Sequence, residues 1–248
     1  MFLTPKLKWY IAKLVFRVGI VAAVLALYLL RRHWLLSMMH QNIRYGVTPI
    51  HVLWLIFMGI MLMHLFPGKL RSMALLKMKQ DTYIPVEGYS ELELLRFVQD
   101  QNQKAWKVLL VWLFFNAIWG VLYLFGVIGE LELLLLSTFY FLCDYICILF
   151  FCPFQTVIMK NKCCVNCRIY DWGHFMMFTP MLFIRNFFSW SLFFTSLVVL
   201  IRWEIVYAKH AERFWFGSNR ILQCAHCQDG TCHIKQKLAI GKGDTQYE

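Results

Sequence analysis

The chain has 248 residues, of which 60% are hydrophobic and only 16% are charged. An average soluble domain is ~45–50% apolar and ~25% charged, so both values indicate a protein surrounded mostly by lipid. This composition excludes a disordered, collagenous or coiled-coil chain, while 25 Lys and Arg against 14 Asp and Glu give a net charge of +11. The nine cysteines do not indicate a small secreted disulfide framework, because the chain reads as a polytopic membrane protein.

Four apolar runs are long enough to cross a membrane, which takes ~20 mostly apolar residues. They cover residues 14–30, 47–66, 106–128 and 131–152. The first run ends in two arginines and shows no small-residue cleavage pattern, so we expect a retained anchor and not a signal peptide. Only Gly129 and Glu130 separate the last two runs, which predicts an antiparallel hairpin.

A fifth apolar region, residues 175–206, has two interpretations. It forms either one long tilted helix, or a short arm that turns at Arg185 and Asn186 into a full span from Phe187. A charge in the middle of the membrane costs at least ~2.5–3.5 kcal/mol, which favours a position for Arg185 at an interface.

The basic residues predict the orientation, because Lys and Arg in short loops stay cytoplasmic. With both termini inside and the last region divided into arm and span, 21 of the 25 lie in cytoplasmic segments and four outside. One long final helix would give 14 inside and 10 outside, with Arg185 unassigned. We therefore predict an all-α polytopic protein of the cell membrane with cytoplasmic termini, a bundle of about five transmembrane helices plus a short re-entrant or half-spanning arm.

This topology divides the chain into six segments. They are an N-terminal transmembrane hairpin (1–66), a cytoplasmic basic helical loop (67–105), a transmembrane hairpin (106–152), a cytoplasmic Cys-rich loop (153–173), a re-entrant arm plus final transmembrane helix (174–207) and a cytoplasmic Cys-rich tail (208–248). Within the basic loop, Ser90 and Glu93 form a capping-box pattern that predicts a helix from near Glu91 into the third span. Residues 70–79 are expected to form a basic amphipathic helix at the lipid surface.

Two C-x2-C pairs are the most specific motifs in the chain. Such a pair lets two thiolates of one tight turn reach the same ion, and two pairs supply the four sulfurs of a zinc site or an iron-sulfur cluster. The predicted topology places both pairs in the reducing cytoplasm, where thiolates stay available for metal. The proposed ligands are Cys164, Cys167, Cys224 and Cys227, with Cys163, Cys232, His226 and His233 in reserve. For these cysteines, structural zinc is the favoured interpretation, an iron-sulfur cluster is the alternative, and free thiols without metal are the third possibility.

Two polar residues are predicted to lie inside the membrane. Asp144 falls near the middle of its span, where an ionisable group usually faces a partner or a pathway, and Asn116 of the neighbouring span is a candidate partner. A hydrogen-bonded Asp144 that only holds helices together is the competing reading. The span cysteines Cys143, Cys147 and Cys152 do not share one helix face, so we expect them to pack as small apolar residues.

The motifs of common enzymes are missing from the sequence, which contains no P-loop, G-x-S-x-G, H-E-x-x-H or G-x-G-x-x-G pattern. The membrane flanks account for the positive charge, so no nucleic acid partner is expected, and no small-molecule substrate is identified. Three hypotheses follow. The protein is a membrane-anchored assembly or interaction subunit with a membrane or cytoplasmic protein partner and a cysteine metal site, an iron-sulfur electron-transfer component, or a small transporter or channel that uses Asp144.

Overall fold

A computed structural model describes residues 5–41, 46–66, 72–161 and 163–227. Apart from one isolated bridge between Pro85 and Asn219, the regular structure of these residues is helical. The α-helices are α1 (Pro5–Leu30), α2 (Arg32–His40), α3 (Pro49–Leu65), α4 (Met73–Leu76), α5 (Glu91–Leu124), α6 (Glu130–Leu149), α7 (Gly173–Phe178) and α8 (Phe187–Lys209). A π-helix (Phe154–Ile158) and 3-10 turns at Tyr170–Trp172, Thr179–Phe183, Ala211–Phe214, Arg220–Leu222 and Cys224–His226 complete the described fold.

Four of the described helices are long and apolar enough to cross a membrane: Lys8–Leu30, Glu91–Leu124, Glu130–Leu149 and Phe187–Lys209. The all-helical fold is therefore confirmed, and the apolar helices are compatible with an integral membrane protein. The second expected span is shorter, because α3 has only 17 residues. It begins after Thr48, whose side chain accepts a hydrogen bond from the His51 backbone N–H, and it ends one residue before Phe66.

The predicted start of α5 is confirmed at Glu91. The Ser90 hydroxyl accepts a hydrogen bond from the backbone N–H of Glu93 at 3.4 Å, as expected of an N-cap residue. At about 1.5 Å per residue, the 34 residues of α5 extend about 51 Å, whereas the hydrocarbon core is about 30 Å thick. The polar first turns of α5 therefore extend beyond its apolar segment.

Residues 175–206 form an arm followed by a helix, not one continuous helix. The arm consists of α7 and the 3-10 turn Thr179–Phe183, and α8 then begins at Phe187, where the Asn186 side chain accepts from the Phe188 backbone N–H at 3.3 Å. The arm packs tightly on α5, since a Cβ added at Gly120 would lie 2.3 Å from Cζ of Phe183. The absence of a side chain at this glycine allows the contact.

The basic loop (67–105) is called the second loop and the Cys-rich loop (153–173) the third loop. Their described residues and those of the tail (208–227) lie at one end of the bundle, which we call the loop end. The backbone N–H of Val86 donates to the Ser218 carbonyl at 3.0 Å, and Arg220 returns a bond to the Ile84 carbonyl at 2.9 Å. The indole of Trp203 in α8 donates to the Arg168 carbonyl of the third loop at 2.7 Å. Only the arrangement with an arm and a final span predicts this shared end. Which side of the membrane the loop end faces stays a prediction.

The segment after α3 differs from the expected surface helix. Of residues 70–79, the first two lie outside the described residues, and the rest form only the single turn α4 before the chain breaks into turns. Lys77 does not reach toward lipid, because its side chain is 1% exposed. Its ammonium lies 5.9 Å from the ring centre of Trp203 and 5.7 Å from that of Phe214. Aromatic rings of α8 and the tail draw this lysine inward by cation-π attraction.

Candidate functional site

Each C-x2-C pair is closed into one tight turn. In the third loop, the backbone N–H of Cys167 donates to the carbonyl of Cys164 at 3.0 Å, and in the tail Cys227 donates to Cys224 at 3.1 Å. This i to i+3 backbone bond gives each pair the tight turn expected of a C-x2-C metal knuckle. The predicted local geometry is therefore present in both pairs.

The third loop and the tail meet at a small apolar cluster at the loop end. Its buried members are Ala74, Val165 and Leu222, and the partly buried Cys163 and Cys227 pack against it. The third loop therefore meets the tail through Cys163, which the sequence analysis named only as a reserve metal ligand. Among the four proposed ligands, Cys227 shares this cluster, whereas Cys224 is exposed.

The other two proposed ligands are buried and turned toward the end of α6. The Cys164 thiol donates to the side-chain carbonyl of Gln155 at 2.9 Å and lies 3.8 Å from the carbonyls of Cys147 and Ile148. Burial raises the pKa of the Cys167 thiol to about 12, although a backbone hydrogen bond and the nearby Lys77 ammonium act in the opposite direction. The Cys167 thiol is therefore held in its neutral form in this arrangement.

Within residues 5–41, 46–66, 72–161 and 163–227, no group of three or more His, Cys, Asp and Glu side chains is placed to hold a metal ion. The reserve residue His226 is exposed in the tail turn. The other two tail reserves, Cys232 and His233, lie outside the described residues. The four-cysteine zinc site and its iron-sulfur alternative therefore stay predictions.

The span cysteines come closer to one another than their helical positions indicate. The side chains of Cys147 and Cys152 lie close enough to interact. The two residues approach because α6 ends at Leu149 and the chain then turns, so the angle of an unbroken helix no longer applies. Their contact with the third loop places them beside the cysteine motif, a proximity that the sequence reasoning missed.

Lys77 supplies a buried positive charge beside the loop thiols. Its ammonium donates to the carbonyl of Cys167 at 3.2 Å. Burial lowers the pKa of Lys77 to about 8, although interaction with Cys167, Cys163 and Cys164 opposes this shift. The residues that the structure describes offer this ammonium no carboxylate partner within ion-pair distance.

The depressed pKa of Lys77 predicts a pH-dependent stability in metal-free protein. The unfolded chain binds more protons than the folded protein between about pH 8 and 10.5, so the free energy of unfolding rises with pH across this window. The shift from 10.5 to about 8 corresponds to about 3 kcal/mol. We expect the wild type to gain most of this stability relative to Lys77→Met between pH 7 and pH 10, measured by denaturant unfolding in detergent. Parallel pH profiles for the two proteins would contradict the expectation.

Asp144 pairs with Arg17 of α1. The guanidinium donates from Nη1 to the Asp144 carboxylate at 2.8 Å, and the same nitrogen also donates to the carbonyl of Phe141. The charged group lies 4.1 Å from the ring centre of Phe141 and 4.0 Å from that of Tyr145. Gly173 permits this arrangement, because a Cβ there would lie 2.6 Å from the Asp144 carboxylate.

Asn116 belongs to a different contact. Its amide donates to the Trp112 carbonyl at 2.9 Å, and its side-chain oxygen accepts from the Tyr140 hydroxyl at 3.4 Å. Asn116 therefore joins α5 to the middle of α6, whereas Asp144 joins α6 to α1. The suggested pair of Asp144 and Asn116 is therefore not seen. Asp144 is bonded to Arg17 of α1, whereas Asn116 of α5 is bonded to Tyr140 of α6.

A second polar group links α3 to the start of the arm. His64 Nδ1 lies 2.9 Å from the Asp171 carboxylate, and the His64 and His174 rings meet edge to face with their centres 4.8 Å apart. The sequence showed only an ordinary histidine near a span end. The sequence signal that could have indicated this contact is the grouping of an acid and a second histidine, Asp171 and His174, at the start of the arm.

The chain matches no protein-family model, no curated protein and no solved structure.

Proposed function

We propose that this integral membrane protein binds one zinc ion through the cysteine pairs of its third loop and tail, and acts as a membrane-anchored assembly or interaction subunit. The observation that carries the proposal is the shared apolar cluster at the loop end, where Cys163 and Cys227 pack beside Val165 and Leu222. It supports a common site because two segments about 60 residues apart in the sequence come together with their C-x2-C turns already formed.

The charge beside the loop pair also supports a thiolate site. Four thiolates around Zn²⁺ leave a net negative charge, and a buried charge is costly unless another charge offsets it. Lys77 is a buried cation next to three loop cysteines. Its position would balance the anionic site once the thiols release their protons.

Zinc would hold the loop end closed. The tail reaches the third loop through a small apolar cluster and through backbone bonds at residues 218 and 220. A bound ion adds a strong crosslink to such a contact, because metal affinity is available only in the folded arrangement. A closed loop end gives a protein partner one defined surface.

The first experiment is metal analysis of the purified full chain. We expect about one zinc per chain, as one tetrahedral four-thiolate site requires, and a colourless protein. Cys164→Ser and Cys224→Ser are expected to lose the zinc, while Cys143→Ser, in the middle of α6, serves as the matched control and keeps it. Protease cleavage after Lys209 should become faster in the two zinc-free variants.

Two results would overturn the zinc assignment. Iron with labile sulfide and visible absorbance would favour the electron-transfer alternative. A wild type that contains no metal after purification in zinc-supplemented medium, together with unchanged proteolysis of the serine variants, would remove the metal site altogether.

A further inference from the structure

A large cavity among the described residues opens between α1, α3 and α6. It has a volume of about 1210 Å³, which exceeds the ~300–1,000 Å³ of typical small-molecule pockets. Apolar side chains of α1 and α3 form one wall: Phe16, Ile20, Leu53, Ile56, Phe57 and Ile60. Such a wall suits a hydrocarbon chain.

Polar groups gather in the same cavity toward the loop end. Arg17, Asp144, His64 and Asp171 all line it. Both carboxylates are already engaged, Asp144 by Arg17 and Asp171 by His64. The Arg17 guanidinium therefore offsets the negative charge of Asp144.

Hydrogen-bond donors remain on the Arg17 side chain. A guanidinium has five N–H donors, and the Arg17 bonds to other described residues all use Nη1. His64 contacts the Asp171 carboxylate through Nδ1 on the same lining. The side chain of Arg17 is 14% exposed, so its charge is largely withdrawn from water. A partly desolvated cation with unused donors favours an anionic acceptor.

Further basic groups line the cavity from the tail. Arg220 and His226 are exposed there. Among the residues described by the structure, no carboxylate lies within ion-pair distance of the Arg220 guanidinium. Two hydroxyl groups, of Ser72 and Tyr170, lie 3.2 Å apart on the same lining. Together these residues give the polar part a basic, hydroxyl-bearing border.

We propose that this cavity binds a lipid with a phosphate-bearing anionic headgroup. The headgroup lies among Arg17, His64 and Arg220, and the hydrocarbon chain runs along the apolar wall of α1 and α3. A water-soluble anion would gain nothing from that wall, and a neutral hydrocarbon would gain nothing from the cations. An anionic amphiphile satisfies both halves of the lining.

The test measures lipid binding to the delipidated full chain in detergent by native mass spectrometry. Dioleoylphosphatidic acid is compared with dioleoylphosphatidylcholine, which has the same chains and no net charge. We expect preferential binding of the acid and about a tenfold weakening by Arg220→Gln, the size of one charge-assisted hydrogen bond. Arg185→Gln is the matched control, because this exposed arginine lies outside the cavity.

A second pair of variants tests the apolar wall. Ile60→Trp fills the cavity and should reduce lipid binding, whereas Leu55→Trp changes an exposed residue of the same helix that does not line it. Thermal unfolding of both variants confirms that each is folded.

Three outcomes would overturn the proposal. They are equal binding of the two lipids, equal effects of the two tryptophan variants, and binding of inorganic phosphate that Arg220→Gln weakens but Ile60→Trp does not. The last result would assign a free-anion site in place of a lipid site.

Discussion

Replacing Asp144 by leucine is expected to lower the free energy of unfolding by about 3 kcal/mol, because removal of one partner leaves a largely buried charge unpaired. The charge concerned is that of Arg17, whose side chain is 14% exposed and whose only carboxylate within ion-pair distance, among the described residues, is Asp144. The measurement is denaturant or thermal unfolding of the purified chain in detergent.

A double-mutant cycle separates the ion pair from general damage to α6. Arg17→Met together with Asp144→Leu should recover most of the lost stability, since neither charge then remains. Asp81→Asn, at an exposed turn residue, is the matched control and should change little. Additive losses in the double variant would show that the two side chains do not interact. A strong stability effect would also favour a structural role for Asp144 over the transporter hypothesis, which requires Asp144→Asn to abolish a flux while sparing the fold.

Replacing Glu204 by leucine is expected to cost about 3–5 kcal/mol, the range found when one member of a buried ion pair is removed. Glu204 accepts from Arg168 at 2.5 Å through one oxygen and from the Trp172 indole at 2.8 Å through the other. Arg168 has an 8% exposed side chain, and its guanidinium lies 4.1 Å from the ring centre of Tyr207. Without Glu204, both the guanidinium and the indole N–H lose their acceptor.

The Glu204 variant should loosen the third loop specifically. Glu204→Gln retains an acceptor for Trp172, so its loss should be smaller than that of leucine, and Glu87→Gln at an exposed position is the control. Hydrogen exchange of the loop around Arg168 should increase in the leucine variant. Unchanged exchange there, with exchange increased elsewhere, would show that α8 does not hold the loop through this carboxylate.

The two polar contacts that bind the helices together were visible in the sequence only as isolated residues. Arg17 counted as one basic residue near the start of the first span, and Asp144 as one acid in the fourth. They are 127 positions apart, and no periodicity relates positions so distant. The pair of His64 with Asp171 spans 107 positions and was missed for the same reason.

Local patterns predicted the helices well. In lipid, a run of about 20 apolar residues must form its backbone hydrogen bonds within the segment, because no water is there to accept them. This requirement favours a helix whatever the neighbouring segments are. Ser90 capped α5 as its spacing to Glu93 indicated, and the turn at Arg185 and Asn186 separated the arm from α8. The surface helix expected at residues 70–79 is reduced to the single turn α4. The Lys77 ammonium lies beside aromatic rings of distant segments instead of at the lipid surface.

The sequence by itself therefore determined the hydrophobic, basic, helical character of this protein and the tight turns of its two cysteine pairs. These properties depend on residues within a few positions of one another. Only the tertiary structure decided that Cys163 faces the tail while Cys164 faces α6, that Lys77 is buried beside them, and that four polar side chains share one cavity with an apolar wall. Those arrangements depend on how helices pack, and packing joins residues that the sequence keeps far apart.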